Sequence, residues 1–497
     1  MCGIAGFLGA RGSAEPDGLL RGMTDAVAHR GPDDAGLWTD CDAGVALGHR
    51  RLSILDLSAE GHQPKTSASE RWVVAFNGEI YNFRELRSEL EQRGARFRGH
   101  SDTEVLLAGF EAWGLVATVR RAAGMFAMAV WDRETRTLHL VRDRLGEKPL
   151  YVGTFDGTLL FASELKAMRR HPAWRGEIDR DVLTAYLRVG YVPGPYAIYR
   201  NVRKVEPGTI VSVRAVDGRL EERTEAYWSV GDAFARGVSD PLTGSHDEMV
   251  TALEDVLRRT VRDEMVSDVP LGAFLSGGID SSTIVALMQA ESRRPVRTFT
   301  IGFHDPAFNE AEHARDVARH LGTEHTELYV TPDDLLDVVP LMPALYDEPF
   351  ADPSQVPTYL VSRLARQHVT VALSGDGGDE MFGGYTRHLW AERAWRRIAP
   401  LPPLLRRGGA AIGGRVSPRV WNAAYAAGQR FLPAHARQRL PGDKLRKLTR
   451  LLAARDVDEV YGILLAQWDR PATALPGATI PLSWACLLYT SDAADEL

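Results

Sequence analysis

Ser276-Gly277-Gly278-Ile279-Asp280-Ser281-Ser282 is the stretch that decides the fold of the second half of the chain, with apolar residues 271–275 before it and Thr283-Ile284-Val285-Ala286-Leu287-Met288 after it. A short buried strand that turns through glycines into an amphipathic helix points backbone N–H groups and the positive helix end at one spot. Such a spot suits a phosphate. Gly277 and Gly278 let the backbone approach an anion closely, Ser276, Ser281 and Ser282 add hydroxyl donors, and Asp280 offers a carboxylate for an accompanying magnesium ion. No Gly-x-x-x-x-Gly-Lys-Ser/Thr run occurs, so the loop is not of the Walker type. In isolation the stretch also reads as a plain strand-to-helix turn.

Moving outward, Met249, Leu253, Val256, Leu257 and Val261 recur at helical spacing ahead of the loop. Beyond it the pattern predicts strands over 296–303, 324–330 and 369–373, and helices over 310–321, 333–346 and 358–367. Strands alternating with helices of this length indicate a parallel sheet covered on both faces, with ligands gathering at the carboxyl ends of the strands. The strand ending at Leu373 delivers Ser374-Gly375-Asp376-Gly377-Gly378-Asp379-Glu380, a second glycine-rich acidic turn. Alone it reads as a solvated loop or a weak calcium site. Two such turns on one sheet would let Asp280 and Asp379 share magnesium on a triphosphate while backbone amides hold the phosphates. Residues 384–471 are Arg-rich, and 445–452 and 457–465 read as helices of an all-α extension whose basic residues form a solvated face.

At 497 residues two or three domains are expected, and 44% hydrophobic with 25% charged residues is a globular composition. The net charge of −7 with dispersed Lys and Arg argues against nucleic acid as a partner. No apolar run approaches the ~20 residues that span a bilayer and the start lacks a signal-peptide pattern, so no membrane partner is expected and the cytoplasm is the expected location. Cys2, Cys41 and Cys486 show neither metal spacing nor a disulfide framework. Cys2 stands apart, because removal of Met1 would leave a first residue carrying both a thiol and a free α-amine. An α-amine titrates near ~7.7–8.0 and can act as base for its own side chain.

Polar clusters follow at 29–34, 48–54, 76–82 and 100–104. Asn77-Gly78 by itself could be a hairpin turn and Arg30 and Arg51 surface ion pairs. With Cys2, however, these clusters supply a thiol, an arginine fork for an α-carboxylate, acidic groups for an α-ammonium and amide donors for an oxyanion. Those are the parts needed to bind and hydrolyse glutamine.

Residues 1–228 resemble the glutaminase domain of class II glutamine amidotransferases, the N-terminal-nucleophile (Ntn) hydrolases, and the order of segments resembles the glutamine-hydrolysing asparagine synthetases. The resemblance implies Cys2 as nucleophile, its α-amine as base, Asn77 and the Gly78 N–H as oxyanion hole, and Arg51, Asn77, Glu79 and Asp102 as glutamine ligands. It implies a fold of α+β and α/β type: a four-layer αββα Ntn-hydrolase sandwich followed by a parallel-sheet ATP pyrophosphatase domain of the adenine nucleotide alpha hydrolase kind. Segments 142–151 and 163–167 also match the family and are read as interior and interface structure rather than chemistry. Residues 229–245 read as a linker, where Gly, Ser, Asp and Pro cluster. Residues 246–485 make the ATP pyrophosphatase domain with its helical extension, incomplete. In that domain the resemblance makes Asp280 and Asp379 the metal ligands, gives pyrophosphate to 276–282, and lines the adenosine site with Ile301, Ser374 and Gly375. Asp376 stands where the family often has Glu, beside the acceptor and the incoming ammonia, so the charge is kept but reaches one methylene less far. Segment 347–354 matches the family near the acceptor pocket, although Pro349 and Pro353 also suit a helix-ending loop.

Residues 486–497 resemble nothing in the family and are read as a non-native tail, a translated sequencing adapter. Family segments expected after this point, an Arg-Val-Pro-x-Leu-Asp run and a lysine for the adenylate chemistry, are absent, so the chain is expected to hydrolyse glutamine while failing at amide synthesis. The activity implied is ATP-dependent amidation of aspartate to asparagine through a β-aspartyl-AMP intermediate, with glutamine, aspartate, ATP and Mg2+ as small-molecule partners. A homodimer is compatible with this reading. Two alternatives stay open: amidation of another carboxylate in polysaccharide or secondary-metabolite biosynthesis, and a synthesis-incompetent remnant.

Overall fold

The computed structural model describes residues 1–9, 15–305, 309–428, 447–468, 475 and 477–479. The tail 486–497, with Cys486, lies outside the described residues. The chain divides into two units, one holding Met1–Val182 and Val192–Asp376, the other Leu183–Tyr191 and the described residues from Gly377 onward.

The first unit begins with strands β1 (Gly3–Leu8), β2 (Asp34–Asp40), β3 (Val45–Arg51), β4 (Lys65–Thr66), β5 (Trp72–Ile80), β6 (Gly124–Asp132), β7 (Thr137–Arg142), β8 (Tyr151–Phe155), β9 (Thr158–Ala162), β10 (Val202–Lys204), β11 (Thr209–Val216) and β12 (Arg219–Ala226). They form two six-stranded antiparallel sheets, ordered β10-β8-β9-β1-β3-β2 and β12-β11-β7-β6-β5-β4. Alternation explains the layering. Along β5, Val73 and Ala75 enter a core with Ile4, Leu47, Ala127, Leu140 and Phe161 between the sheets, whereas Trp72, Val74 and Phe76 meet Leu86, Leu106 and Phe110 of the covering helices. On the far side, Pro16–Asp25 and Leu165–Met168 bury Leu20, Met23 and Leu165 against the first sheet. The αββα sandwich implied by the resemblance is therefore the observed layer order.

Four parallel strands follow in the same unit: β13 (Leu271–Phe274), β14 (Arg297–Phe303), β15 (Glu324–Val330) and β16 (Val371–Leu373), ordered β15-β14-β13-β16. Helices cover both faces. His246–Glu264, Ile279–Glu291 and Ala311–Leu321 bury Val261, Val285, Met288 and Ala314 on one, and Gln355–Ala365 buries Leu360 and Leu364 on the other. One reading is corrected, and two further segments take definite form. The helix expected over 333–346 is broken into Pro332–Val338, a 3-10 turn Val339–Leu341 and Met342–Leu345, because Pro340 and Pro343 each remove a backbone donor. Asn77-Gly78 lies inside β5 rather than in a turn. The linker contains a helix, Val230–Ser239, capped by the Ser229 hydroxyl accepting from Asp232 N–H, with no buried residue.

The second unit is helical among its described residues, with Thr386–Ile398 and Val457–Leu465 packing Ala391, Ile398, Leu451 and Val460 into a small core. No helix among the described residues is long and apolar enough to cross a membrane.

Candidate active site

The first site forms where the two sheets of the sandwich meet. β1 runs beside β3 with Gly3 opposite Arg50, so Cys2 is carried to the level of Arg51. Across from them, the inner face of β5 that buries Val73 and Ala75 continues with Asn77 and Glu79, where the core gives way to a cavity. Cys2, Arg51, Asn77, Gly78, Glu79 and Asp102, separated by up to a hundred positions in the chain, all line this cavity.

Cys2 is half-buried, and its sulfur receives the Leu52 N–H at 3.4 Å while its carbonyl accepts from Arg30 Nε at 2.9 Å. Burial pushes the thiol above its ordinary value, opposed by the neighbouring amine, the Leu52 contact and Arg51. In the chain as encoded that amine belongs to Met1, and burial lowers it to about 5. A neutral amine beside a protonated thiol is the ground state of a nucleophile and base that exchange one proton.

Arg51, the last residue of β3, donates to the carbonyls of Leu55 at 3.1 Å, Asp56 and Ser58 at 3.3 Å. A Cβ on Gly61 would stand 1.7 Å from its Nη2, so glycine there makes room for the guanidinium. Among the described residues no carboxylate pairs with Arg51, leaving a buried positive charge that suits an incoming carboxylate.

The Asn77 amide is fully buried, and neither its oxygen nor its nitrogen has a partner among the described residues. Unmet polar atoms cost about 1–3 kcal/mol each, so a sequence keeps them where a ligand completes them. Gly78 is needed because a Cβ would lie 2.2 Å from the Met125 carbonyl of β6. Glu79 is 8% exposed, its Oε1 has no partner among the described residues, and burial, reinforced by Asp102, pushes its carboxyl up to about 7. Asp102 opens the helix Asp102–Trp113 and accepts from Ile80 N–H at 3.0 Å and Thr103 N–H at 2.7 Å; burial still raises it to about 6.

The loop held by Arg51 is tied to the parallel-sheet part of the unit. Asp56 N–H donates to Asp268 Oδ2 at 2.8 Å, Asp268 N–H to the Ile54 carbonyl at 3.0 Å, and the His100 ring contacts the same Asp268 oxygen at 2.9 Å. Asp268 lies three residues before β13, the strand that feeds the phosphate loop.

In that loop Gly277 takes φ +80°, and a Cβ there would meet Ala314 N at 2.7 Å. Ser281 Oγ accepts from Ser276 N–H at 3.2 Å and contacts Ser276 Oγ at 3.0 Å, closing the turn on itself. Asp280 stands in the first turn of Ile279–Glu291, whose N-terminus has no side-chain cap from Gly278; Ser282 follows, its N–H bonded to the Gly278 carbonyl. Pairing of Ala273 with Leu373 brings the second turn alongside, and a Gly375 Cβ would be 2.6 Å from Ser281 N. Ser374 Oγ donates to the exposed Asp376 carboxylate at 2.8 Å. Ile301 lies in β14, the neighbour of β13 on the other side. The crossover leaves β13 toward β14 and returns on its opposite edge at β16, so both turns stand at a topological switch point. Asp379 is in the first turn of Gly378–Phe382, which belongs to the second unit. Among the described residues no three His, Cys, Asp or Glu side chains cluster to hold a metal.

Comparison with known proteins agrees with both halves. A family described as glutamine amidotransferase domain matches residues 1–228, and one described as asparagine synthase matches residues 252–494. Asparagine synthetase (glutamine-hydrolyzing) 1 of Bacillus subtilis is 38% identical over 78% of this chain and 59% of its own. Asparagine synthetase B (glutamine-hydrolyzing) of Escherichia coli is 33% identical over 73% of this chain and 60% of its own. A Methanocaldococcus jannaschii protein named as an asparagine synthetase of the same kind is 36% identical, over 82% of this chain and 79% of its own. The chain belongs to the glutamine-hydrolysing asparagine synthetase family.

This asparagine synthetase homologue spans about three-fifths of the length of the Bacillus relative. Its cavity contains one charged residue that sequence reasoning set aside. Lys148, from the segment taken as interior structure, is 6% exposed and lines the cavity with Cys2 and Glu79. The available signal was a lysine between Glu147 and Pro149 in a stretch that also carries Arg142, Asp143 and Arg144, too weak to separate a ligand-facing cation from a snorkelling one.

Proposed function

We propose that the chain hydrolyses glutamine at Cys2 and that the complete enzyme passes the ammonia to an activated aspartate, making asparagine. The observation that carries the first step is the convergence on one cavity of Cys2 with an Arg51 that has no carboxylate partner, and an Asn77 amide whose polar atoms are both unmet, among the described residues. After removal of Met1, the Cys2 sulfur attacks the γ-carbonyl of glutamine and its proton passes to the α-amine. Asn77 and the Gly78 N–H take the oxyanion, and ammonia leaves with that proton. Water then cleaves the thioester to glutamate. Arg51 holds the substrate carboxylate, while Glu79 and Asp102 hold its ammonium.

In the synthetase half, the amides and hydroxyls of 276–282 hold the phosphates of ATP, and Ile301, Ser374 and Gly375 border the adenosine. The aspartate β-carboxylate attacks the α-phosphorus and pyrophosphate leaves; ammonia then displaces AMP from the β-aspartyl adenylate. Magnesium suits Asp280, since this ion is commonly held by one or two carboxylates together with substrate phosphates, and it would neutralise the triphosphate charge. Asp379 is the second carboxylate that the family resemblance gives to the metal. Asp376 is the residue that the family resemblance sets near the acceptor and ammonia, and its shorter reach favours keeping a different carboxylate acceptor as a second reading.

The test is glutamine-dependent ammonia release by the parent chain and by Cys2→Ala, with pyrophosphate release measured on the full-length enzyme against aspartate and a panel of carboxylic acids. The reading expects ammonia from the parent only and pyrophosphate with aspartate. Ammonia release by Cys2→Ala would refute the site, and pyrophosphate with another acid alone would reassign the acceptor.

A further inference from the structure

Lys148 reaches the glutamine cavity from a turn built to hold it still. Asp143 accepts from the N–H groups of Leu145, Gly146, Glu147 and Lys148, at 2.6 to 3.1 Å, and Arg142 Nε donates to the Lys148 carbonyl at 2.9 Å. The lysine is 6% exposed and lines the cavity with Glu79, and its ammonium forms no ion pair among the described residues. Across the same cavity Glu79 is equally buried with Oε1 unpartnered. Two opposite charges that line one cavity without pairing are costly as structure. Stability alone would favour closing the pair or replacing it with apolar side chains.

We propose that Lys148 is a positioning residue of the glutamine site, acting through Glu79 and the chain-terminal amine rather than on the scissile amide. This rests on the glutamine-hydrolysis reading above. A fixed cation favours the ionised form of a neighbouring acid and the neutral form of a neighbouring amine. Those are the two forms the reaction requires, a carboxylate to hold the substrate ammonium and a free amine to take the thiol proton. The other charges facing these groups do not supply both effects. Glu79 also faces Asp102, the amine and Glu264, of which the two acids work against its ionisation. In the chain as encoded the terminal amine is that of Met1, one residue before the amine that would act on the thiol; it faces Cys2, Arg30 and Glu79, and of these only Arg30 pushes with Lys148. Lys148 itself faces Glu147, Asp143, Arg30 and Glu79, and remains depressed by burial.

The experiment compares parent, Lys148→Met, Lys148→Gln and Lys148→Arg as full chains, measuring glutaminase kcat/KM from pH 5.5 to 9 and thermal unfolding over the same range. In both neutral variants the acid limb of the profile is expected to move alkaline by about one pH unit, a roughly tenfold loss on that limb that recovers at higher pH, with Lys148→Arg close to parent. The fall in Tm between pH 5.5 and 8 should also steepen in the neutral variants, a readout independent of any activity. A uniform loss of rate with an unmoved limb, or Lys148→Arg behaving like Lys148→Met, would overturn the role. A parent chain releasing no ammonia would instead remove the glutamine reading, while an unchanged Tm profile in the same series would separately remove the field effect of Lys148.

Discussion

Replacing Glu79 by Gln removes a charge from the cavity that it lines with Cys2 and Arg51, proposed above to take glutamine, while keeping the shape of the side chain. The carboxyl rises from 4.5 to about 7 because burial penalises its ionised form. For an acid raised in the folded state, the favourable contribution is complete below pH 4.5 and disappears as pH climbs through 7. At roughly 1.4 kcal/mol per pH unit, the ionised group therefore costs about 1 kcal/mol at pH 5 and about 3 kcal/mol at pH 8. Glu79→Gln abolishes no hydrogen bond at Oε1, which has none among the described residues. The variant should thus gain little at pH 5 and melt about 6–12 °C higher at pH 8, taking ~2–4 °C per kcal/mol for a domain of this size. Differential scanning calorimetry at both pH values measures the gain, and isothermal titration with glutamine on the Cys2→Ala background should show weakened binding at pH 8. Equal stabilisation at the two pH values, or none at pH 8, would refute the assignment of Glu79 as a buried charge retained for a ligand.

Asn77→Ala should lower glutaminase kcat by about 10²–10³-fold with Tm unchanged or raised, because its amide makes no bonds to lose; steady-state ammonia release and a melting curve check both halves. Gly78→Ala should instead lose fold and activity together, since the added methyl meets the Met125 carbonyl at 2.2 Å, and circular dichroism would reveal it as reduced Tm. Ser281→Ala removes the hydroxyl that closes the phosphate loop on Ser276, so pyrophosphate release by the full-length enzyme should fall at least tenfold while glutaminase activity persists. Loss of glutaminase in that variant would contradict separate chemistries.

Most of the architecture was legible because it follows from local pattern. Alternating apolar residues marked β7 and β9, and strands alternating with helices after residue 271 announced the parallel sheet. The cavity residues were legible as a set once Cys2 was read together with the polar clusters, but their individual roles came from the family resemblance, since Asn77-Gly78 on its own suggests a turn and becomes a strand interior once β6 pairs with it. What local pattern withheld was set by tertiary surroundings. The protonation of Glu79 and Asp102 depends on burial that no spacing encodes, and Lys148 looks like any other lysine until its turn brings it to the cavity that Cys2 and Glu79 also line. The broken helix before Leu345 was recoverable in principle, as Pro340 and Pro343 stand in plain view.

Asp268 makes the two halves poor candidates for dissection. A glutaminase fragment ending near Ala226 would keep every residue of its cavity yet release the Asp56 N–H, the Ile54 carbonyl and the His100 ring from their shared carboxylate and backbone partners. The loop whose carbonyls cradle Arg51 would then lose its outer brace. Cutting at the boundary drawn by sequence thus yields a complete cavity lining on a loosened frame, and the brace is returned only by extending the fragment through Asp268, just short of β13.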